Sequence, residues 1–482
     1  MRVVVSCGIV AAATCWLACG DAPGGPAPAT ARDRPDLVLI VIDTLRADHL
    51  GSEGYGRPTS PNIDRLAAQG TRFANAFAPS SWTRPSIASL FTSRAPSEHG
   101  AVTVDRPLPA ALPTLAESLR DAGYQTLGVS ANFVHVSRDA GMARGFASWH
   151  AFSKPASESD AELLWSAVDA RGRQVTRRAP RAGEVNREIL KRIPAVRERP
   201  LFLYAHYMEP HSPYSPPEAQ RLAFARKTSA SRPPVVTDET LLDLASRGAT
   251  LGAAERRWLV DLYDAEIASV DAAIGALLEA LDARGIGSNA VVLVTSDHGE
   301  ELGEHGGWFH AQTLHAESLR VPLVVTGPGV PRGASRSEPV DLLDVPTTLL
   351  ALAGVAPPPA MRGRVLLGAE PTRDLATREL ATRDLVAELH VDPTLEARLR
   401  PRRDQIALTR WPWKAIAERD GSVRVYQLER DPAEAASLGV ADAPASLDTA
   451  LRAARARHAV EAPTRPLDES AREGLRALGY AE

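Results

Sequence analysis

A chain of 482 residues, of which 44% are hydrophobic and 24% charged, is long enough to bury one large core or two unequal ones, so its composition excludes a largely disordered protein. The 55 lysines and arginines are offset by 59 aspartates and glutamates, which gives a net charge of -4. This balance excludes the basic surplus that nucleic-acid binding usually requires, and we expect no nucleic-acid partner.

The amino terminus has the pattern of a secretory signal. Arg2 is followed by an apolar run over residues 3–19, which is the order of charge and apolar residues in an export signal. The residues before Cys19 resemble a bacterial lipoprotein cleavage site. We therefore predict a signal peptide of lipoprotein type over residues 1–19, export to the periplasm or cell envelope, and membrane contact only through a lipid anchor at Cys19. An uncleaved membrane anchor is the alternative.

The folded body follows a tether and contains no cysteine. All three cysteines lie within the first 19 residues, so the body has neither a disulfide nor a thiolate metal site, and any metal must be held by oxygen and imidazole. Residues 20–35 are rich in Pro, Gly and Ala, a composition typical of a linker.

Aliphatic runs in the next part of the chain predict buried strands. Residues 37–42 form such a run, and it ends at Asp43. Similar runs and intervening helical patterns predict an α/β fold with a large, mostly parallel central sheet between helices. The runs lie at 201–204, 291–295 and 321–326, and the helical patterns lie at 115–122 and 263–283.

The sequence pattern changes near residue 401. Short segments at 405–409, 413–417 and 423–428 are separated by Asp-Gly and Asp-Pro pairs, as in a small antiparallel sheet. We therefore divide the body into a catalytic domain over 36–400 and a C-terminal subdomain over 401–482. A five-residue repeat at 372–386 predicts an inserted charged helix or loop without chemistry.

Polar residues that follow two of the predicted strands form a candidate metal site. Asp43 and Asp297 supply anionic oxygens, and His298 adds an imidazole nitrogen. Ligands gather past the carboxyl ends of strands in open α/β sheets. Taken alone, Asp43 would more often be a helix cap or turn residue. Beside a second strand end that carries Asp-His-Gly-Glu-Glu, the metal site is the better interpretation.

Segments at 41–51, 78–92, 206–214 and 295–306, followed by DLLDVPTTLLALAG at 341–354, resemble those of bacterial enzymes of the sulfatase family. This family belongs to the alkaline-phosphatase superfamily, and the resemblance extends from about residue 36 to the end. It implies an alkaline-phosphatase-like sandwich with a small C-terminal sheet, a divalent metal ion, and an anionic ester substrate. It also implies in-line transfer of a sulfuryl or phosphoryl group through a covalent intermediate.

The resemblance places Thr83 at the position of the family's nucleophile and makes its oxygen a metal ligand beside Asp43, Asp297 and His298. Pro85 fits the first turn of a helix whose amino end would face the reacting group and stabilise negative charge. The alternative is that Thr83 only caps this helix.

The sequence departs from the family at the nucleophile. Sulfatases of the usual kind carry Cys or Ser, Pro two residues later and Arg four residues later, which signals conversion to formylglycine. Here Thr83 is followed by Pro85 but by Ile87 in place of that Arg, so we expect no conversion. A threonine ester cannot release its group by hemiacetal collapse and needs an activated water, a route usual for phosphoryl transfer. In this superfamily, threonine nucleophiles accompany phosphodiesterases, pyrophosphatases and phosphoglycerol transferases.

The metal ligands depart from the family as well. Thr44 stands where many sulfatases have a second aspartate, and His298 stands where they have asparagine. Exchanging a carboxylate for an imidazole favours Mn or Zn, with Ca and Mg as alternatives.

Other polar residues are candidates for substrate contact. His211 and His310 align with substrate-contacting positions and are predicted to hold anionic oxygens or protonate the leaving group, the alternative being solvated loop histidines. Two further sets are weaker candidates. A second metal would use His206, Glu209, His305 and His315, and the pocket lining would include Trp82, Asn132 and Arg46.

The sequence therefore favours a metal-dependent hydrolase of sulfate or phosphate esters that uses Thr83 and prefers phosphoesters. A sulfatase that works without formylglycine is one alternative. A catalytically silent binding protein on the same fold is the other, and the presence of both aspartates, the histidine and the hydroxyl at position 83 argues against it.

Overall fold

The computed structural model describes residues 34–152, 164–168, 174–178, 180–225, 236–367, 383–390 and 404–457. The predicted signal peptide lies outside the described residues, as do nearly all of the tether and most of the five-residue repeat. Among the described residues, no helix combines the length and the apolar character needed to cross a membrane.

The strands, in chain order, are β1 (Asp36–Ile42), β2 (Thr71–Phe73), β3 (Ala76–Phe77), β4 (Gln125–Ser130), β5 (Ser148–Ala151), β6 (Leu164–Val168), β7 (Gln174–Arg178), β8 (Leu201–Tyr207), β9 (Ala290–Ser296), β10 (Glu301–Leu302), β11 (Trp308–Phe309), β12 (Leu323–Thr326), β13 (Ala334–Arg336), β14 (Val340–Asp341), β15 (Asp384–Leu389), β16 (Gln405–Arg410), β17 (Trp413–Glu418) and β18 (Val423–Gln427).

The α-helices, in chain order, are α1 (Pro61–Gln69), α2 (Thr83–Thr92), α3 (Pro96–His99), α4 (Leu115–Asp121), α5 (Ala182–Arg192), α6 (Glu218–Ala225), α7 (Asp238–Arg247), α8 (Ala253–Asp282), α9 (Ala316–Leu319), α10 (Asp344–Leu352) and α11 (Ala445–Arg457). The longest, α8, has 30 residues and therefore spans about 45 Å. It packs against α1, α5 and α6.

The central sheet has eight strands in the order β13-β2-β12-β9-β1-β8-β4-β5. Only β12 runs antiparallel to its neighbours in this sheet; the remaining pairs are parallel. The strands β1, β8 and β9 are buried along their whole length, which explains their continuous aliphatic sequence. The predicted mostly parallel central sheet with flanking helices is confirmed.

A separate antiparallel sheet has the strand order β15-β16-β17-β18. Its two faces are buried in different cores because successive side chains alternate between them. Ala407 and Ile416 belong to the main core, whereas Ile406 and Leu408 pack with Leu451 of α11. The predicted small C-terminal sheet is confirmed. Its first strand, β15, lies upstream of residue 401, where the sequence pattern changes.

Candidate active site

The pairing of β1 and β9 brings Asp43 and Asp297 together. These strands are parallel with Ile42 opposite Ser296, so the residue that follows each strand reaches the same edge of the sheet. Thr44 then adopts the left-handed region with φ 55°. Its amide donates to Asp297 Oδ1 at 3.3 Å. The chain therefore turns away at this point while both carboxylates stay buried.

His298 completes a group that is suited to a metal ion. Its Nδ1 lies 2.9 Å from the carbonyl oxygen of Gly299 and donates to it, so Nε2 keeps its lone pair. Nε2 lies 3.6 Å from Asp43 Oδ1 and 3.4 Å from Asp297 Oδ2. One ligand atom of each of the three residues lies within 4.8 Å of the others.

Two carboxylate oxygens in this group are otherwise unused. Asp43 Oδ1 and Asp297 Oδ2 are buried and accept no hydrogen bond from any residue that the structure describes. Leaving charged oxygens unpaired in a protein interior is costly. A cation bound between these oxygens and His298 Nε2 would remove that cost, so the residues fit the divalent metal that the sequence predicts.

The two aspartates are electrostatically different. Burial opposes ionisation of Asp43, but His206 together with His211 and His298 outweighs it and lowers the pKa of Asp43. Burial and the nearby charge of Asp43 raise the pKa of Asp297 to about 8. Two carboxylates that repel each other in this way are the arrangement that a cation stabilises.

Thr83 is the first residue of α2 and faces this group. The residue before it, Trp82, occupies the N-cap, so Thr83 is not the helix cap. Its Oγ1 lies 3.3 Å from His298 Nε2, and the residue is 1% exposed. The other candidate hydroxyls differ: Ser80 Oγ donates to the carbonyl of Glu388, whereas Ser81 Oγ is buried without a hydrogen-bond partner in the described chain.

Ile87 occupies the position of the arginine in the formylglycine signal, and it lies in the hydrophobic core. Ile87 is one helical turn after Thr83 and is fully buried among hydrophobic residues. The guanidinium group of Arg84 donates hydrogen bonds to the carbonyl oxygens of Val104 and Val134. The departure from the formylglycine pattern is thus built into the packing of α2.

Residues that the sequence left uncertain hold Asp43 in place. Asn132 Nδ2 donates to Asp43 Oδ2 at 2.9 Å, and His206 Nε2 lies 3.1 Å from the same oxygen. Tyr204 Oη lies 2.8 Å from His206 Nδ1, so a hydroxyl, an imidazole and a carboxylate form a chain. His206 follows from strand register, since it pairs with Val41. Asn132 follows closely after β4, where ligand-side polar residues gather.

His310 and His211 lie beside the metal-ligand group. The ring of His310 is 4.8 Å from those of both His211 and His298, measured between centroids. His310 Nδ1 donates to Glu300 Oε1 at 3.1 Å, which directs the other ring nitrogen away from Glu300. Both histidines therefore lie beside the candidate metal-ligand group. Glu300 was not predicted, although it lies in the Asp-His-Gly-Glu-Glu segment.

The four weaker candidates for a second metal do not gather in the described part of the chain; only His206 contacts the group. Glu209 Oε1 accepts from the amide of Ala182. His305 and His315 stack on each other at 3.7 Å. They bind Glu317 and Glu434 respectively.

The three candidates for the pocket lining have the following contacts. The side chain of Arg46 is held by Asp48 and Glu304. Trp82 packs edge-on against His135 at 5.5 Å. Asn132, the third candidate, contacts Asp43 as described above.

Two family models match this chain. The sulfatase family model matches residues 35–355, and the model of the N-sulphoglucosamine sulphohydrolase C-terminal region matches residues 303–455. A sulfatase of Formosa agariphila is 25% identical over 361 residues, which cover 67% of this chain and 70% of that protein.

Solved structures share the fold. One is BT4656 in complex with its substrate D-glucosamine-2-N,6-O-disulfate, with a TM-score of 0.67 and 19% identity, covering 88% of this chain and 98% of the other. Another is the phosphonate monoester hydrolase of Agrobacterium radiobacter, with a TM-score of 0.67 and 21% identity over 88% and 96% of the two chains. The family model spans well over half of the sequence, and the chain therefore belongs to the sulfatase family of metal-dependent ester hydrolases.

Proposed function

We propose that this sulfatase-family enzyme uses Thr83 as its nucleophile and hydrolyses phosphoesters, diesters in particular, faster than the matching sulfates. The observation that carries the proposal is the contact of Thr83 Oγ1 with His298 Nε2 at 3.3 Å. The contact supports the proposal because it sets an alcohol group beside the candidate metal ligands, in a chain that has Ile87 in place of the arginine of the formylglycine signal.

Asp43, Asp297, His298 and the Thr83 oxygen would hold the metal ion. An imidazole among oxygen donors favours Mn or Zn, with Ca and Mg as alternatives. When bound, the ion would supply positive charge that lowers the pKa of the Thr83 hydroxyl and stabilises the anionic oxygens of the ester. The amino end of the ten-residue helix α2 adds partial positive charge at the same place.

The first half of the proposed reaction forms an ester of Thr83. Thr83 Oγ1 attacks phosphorus, its proton passes to solvent, and the bond from phosphorus to the leaving oxygen breaks. His310 or His211 donates a proton to that oxygen, so an alcohol leaves. Glu300 keeps the His310 ring oriented through the 3.1 Å hydrogen bond to Nδ1.

The second half returns the enzyme to its starting state. The histidine that gave up its proton now takes one from water, and the resulting hydroxide attacks phosphorus. The bond from phosphorus to Thr83 Oγ1 breaks, phosphate or its monoester leaves, and Thr83 recovers a proton. A threonine ester requires this second displacement, and displacement by water is well suited to phosphorus.

Sulfate ester hydrolysis by the same residues is the second candidate. The substrate of BT4656 is a sulfated glucosamine, whereas the Agrobacterium radiobacter relative is a phosphonate monoester hydrolase. The sulfated sugar and the phosphonate monoesters are both anionic, so these two proteins support an anionic substrate. They do not distinguish sulfur from phosphorus, and our proposal of phosphorus rests on the chemistry of Thr83.

A substrate panel tests the proposal. Purified enzyme would be loaded with Mn or Zn and assayed on matched aryl sulfates, phosphate monoesters, phosphodiesters and phosphonate monoesters. We expect the highest kcat/KM with a phosphodiester. A clear preference for sulfate would instead favour the formylglycine-independent sulfatase, and a complete lack of turnover would favour a binding protein.

We also propose that the protein is exported and carries a lipid on Cys19. The support is the charged and apolar pattern of residues 1–19. Cell fractionation with mass spectrometry of the mature amino terminus tests it. An unprocessed cytosolic chain would overturn it.

A further inference from the structure

The backbone around His310 is strained. Phe309 and Ala311 flank this histidine, and both adopt positive φ angles, of 78° and 58°. Residues other than glycine rarely occupy this left-handed region, because the Cβ atom crowds the backbone there. Strained residues of this kind persist where the surrounding structure holds them in place, and they cluster at active sites.

Neighbouring elements hold this segment on both sides of His310. Phe309 belongs to β11 and pairs with Glu301 of β10. The amide of Ala311 donates to the carbonyl oxygen of Ser81 at 2.9 Å, just before the start of α2. The backbone of His310 is therefore tied both to the loop that follows β9 and to the residues that precede the helix of the candidate nucleophile.

The ring of Phe309 packs against both candidate catalytic histidines. It stacks on His310, with 3.9 Å between the ring centroids and 27° between the ring planes. It also makes an edge-on contact with His211 at 5.8 Å. Phe309 is fully buried, so its ring covers one face of the His310 imidazole with an apolar surface. Because Glu300 binds Nδ1 of the same imidazole, the His310 ring cannot turn without breaking a contact.

We propose that Phe309 is a positioning residue, whose ring holds the imidazole of His310 in the orientation that delivers a proton to the leaving oxygen of the ester. Packed aromatic rings prefer defined mutual orientations, and the placement of a proton donor determines much of its effect on the rate. The strained φ of Phe309 is tolerated because the ring makes these contacts. A leucine or methionine side chain is also apolar but has no flat face.

The proton transfer itself is the one in the proposed function. As the bond from the central atom to the leaving oxygen breaks, a proton passes from His310 to that oxygen, and an alcohol leaves. The inference rests on the proposed function only in taking His310 as the donor. It depends neither on the nucleophile nor on whether the central atom is sulfur or phosphorus.

The test compares leaving groups. Proton donation matters most for a weakly acidic alcohol, because its anion is a poor leaving group. We would measure kcat/KM on phenyl, 4-nitrophenyl and 2,4-dinitrophenyl esters of whichever acid the metal-loaded wild type hydrolyses fastest. In Phe309→Leu, kcat/KM should fall at least about tenfold more for the phenyl ester than for the 2,4-dinitrophenyl ester.

Phe202→Leu is the matched control. Phe202 is also fully buried and stacks on Phe146 at 5.7 Å. It pairs with Leu37, at the opposite end of β1 from Asp43. This variant should lower the unfolding temperature but leave the ratio of kcat/KM between the esters unchanged, as expected of a purely structural effect.

Two further variants separate the flat ring from the volume of the side chain. Phe309→Tyr retains the ring and should keep the wild-type ratio between the esters. If Phe309→Leu does not fold, Phe309→Met takes its place, because methionine is flexible and fills irregular space in a core. It should show the same selective loss on the phenyl ester.

A double variant shows whether the effect passes through His310. His310→Asn should cause a selective loss on the phenyl ester, and adding Phe309→Leu should then cause little further selective loss. An undiminished effect of Phe309→Leu in the His310→Asn background would overturn the inference. So would the absence of a selective loss in His310→Asn, or equal losses on all three esters in the folded Phe309 variants that lack the ring. Failure of the proposed function appears separately, as sulfate preference in the substrate panel or as unchanged turnover in Thr83→Ala.

Discussion

The hydroxyl of Thr83 lies 3.3 Å from Nε2 of His298, the same nitrogen that faces Asp43 and Asp297. Side chains from the amino end of α2 and from the carboxyl ends of β1 and β9 therefore surround the same nitrogen atom. Such convergence of a hydroxyl, two carboxylates and an imidazole is costly for folding unless a cation compensates the charge.

The first prediction concerns metal content. Asp297→Asn should lower the affinity for Mn or Zn by at least about tenfold, because it replaces an anionic oxygen by a neutral amide group. The domain should remain folded, since the substitution also relieves the repulsion with Asp43 that raises the pKa of Asp297 to about 8. Elemental analysis and circular dichroism would measure the two effects.

Asp282→Asn is the matched control, because Asp282 is exposed at the end of α8. Its metal content should equal that of the wild type. Full metal occupancy in Asp297→Asn would show that the metal ion does not bind to Asp297.

The second prediction concerns the residues behind Asp43. In His206→Phe the hydrogen bond to Asp43 Oδ2 is lost, along with the chain that continues to Tyr204. Removing a partner that orients a metal ligand typically lowers metal affinity by about 10–100-fold. The expected loss should also appear in Tyr204→Phe, but to a smaller extent because the imidazole remains. Metal titration of both variants tests this order, and the reverse order would contradict it.

Much of the fold could be predicted because the central strands are buried on both faces. A run such as residues 37–42 is then aliphatic throughout, and a polar residue at its end marks the ligand edge of the sheet. Asp43 and Asp297 were identified in this way. The prediction of metal ligands needs only the ends of two neighbouring strands.

Other parts of the site depend on long-range packing and could not be predicted in the same way. The contact between Glu300 and His310 depends on the loop after β9, and sequence alone does not give its path. The direction of Arg46 was equally open, and the structure shows it bound to Asp48 and Glu304. Strand β15 was missed because its neighbour in the sheet follows only after residue 404.

The third prediction concerns stability at alkaline pH. A hydrogen bond with Glu317 raises the pKa of His305 to about 9, above the value of about 6.5 in an unfolded chain. The stabilisation is therefore complete below about pH 6.5 and is lost as the pH rises through 9. Burial raises the pKa of Glu301 to about 8, so this residue also lowers the stability as the pH rises. A His305 variant is therefore needed to measure the contribution of the histidine alone.

His305→Gln should lower the unfolding temperature at pH 7 by roughly 1–2 °C, which is the size expected of a partly screened ion pair in a large chain. The difference from the wild type should shrink by pH 10, because His305 is then neutral. Lys191→Gln, at a side chain 72% exposed, serves as the control. A difference that stays constant from pH 7 to pH 10 would show that the effect is not due to protonation.

The last prediction concerns the nucleophile. Thr83→Ala should reduce kcat on an aryl phosphodiester by several orders of magnitude, because it removes the attacking oxygen and one metal ligand together. Thr83→Ser retains both and should keep activity within about tenfold of the wild type, since it deletes only a methyl group. Metal content must be measured alongside, so that loss of the ion is not mistaken for loss of the nucleophile.

Ser81→Ala separates the two hydroxyls that lie near the start of α2. Ser81 Oγ is buried and has no hydrogen-bond partner in the described chain, and Ser81 is the alternative nucleophile if Thr83 is not used. Rapid quenching of the wild type with a labelled diester should trap the label on the peptide that contains Thr83, because the threonine ester must await attack by water. Two results would identify Ser81 as the nucleophile instead. One is unchanged turnover in Thr83→Ala, and the other is loss of both turnover and label in Ser81→Ala.

Label on Thr83, together with faster turnover of the diester than of the sulfate, would support both the proposed nucleophile and the proposed substrate preference. The physical reason is that an alcohol ester of phosphorus can be displaced by water, whereas a sulfate ester of threonine lacks the hemiacetal that releases sulfate from formylglycine.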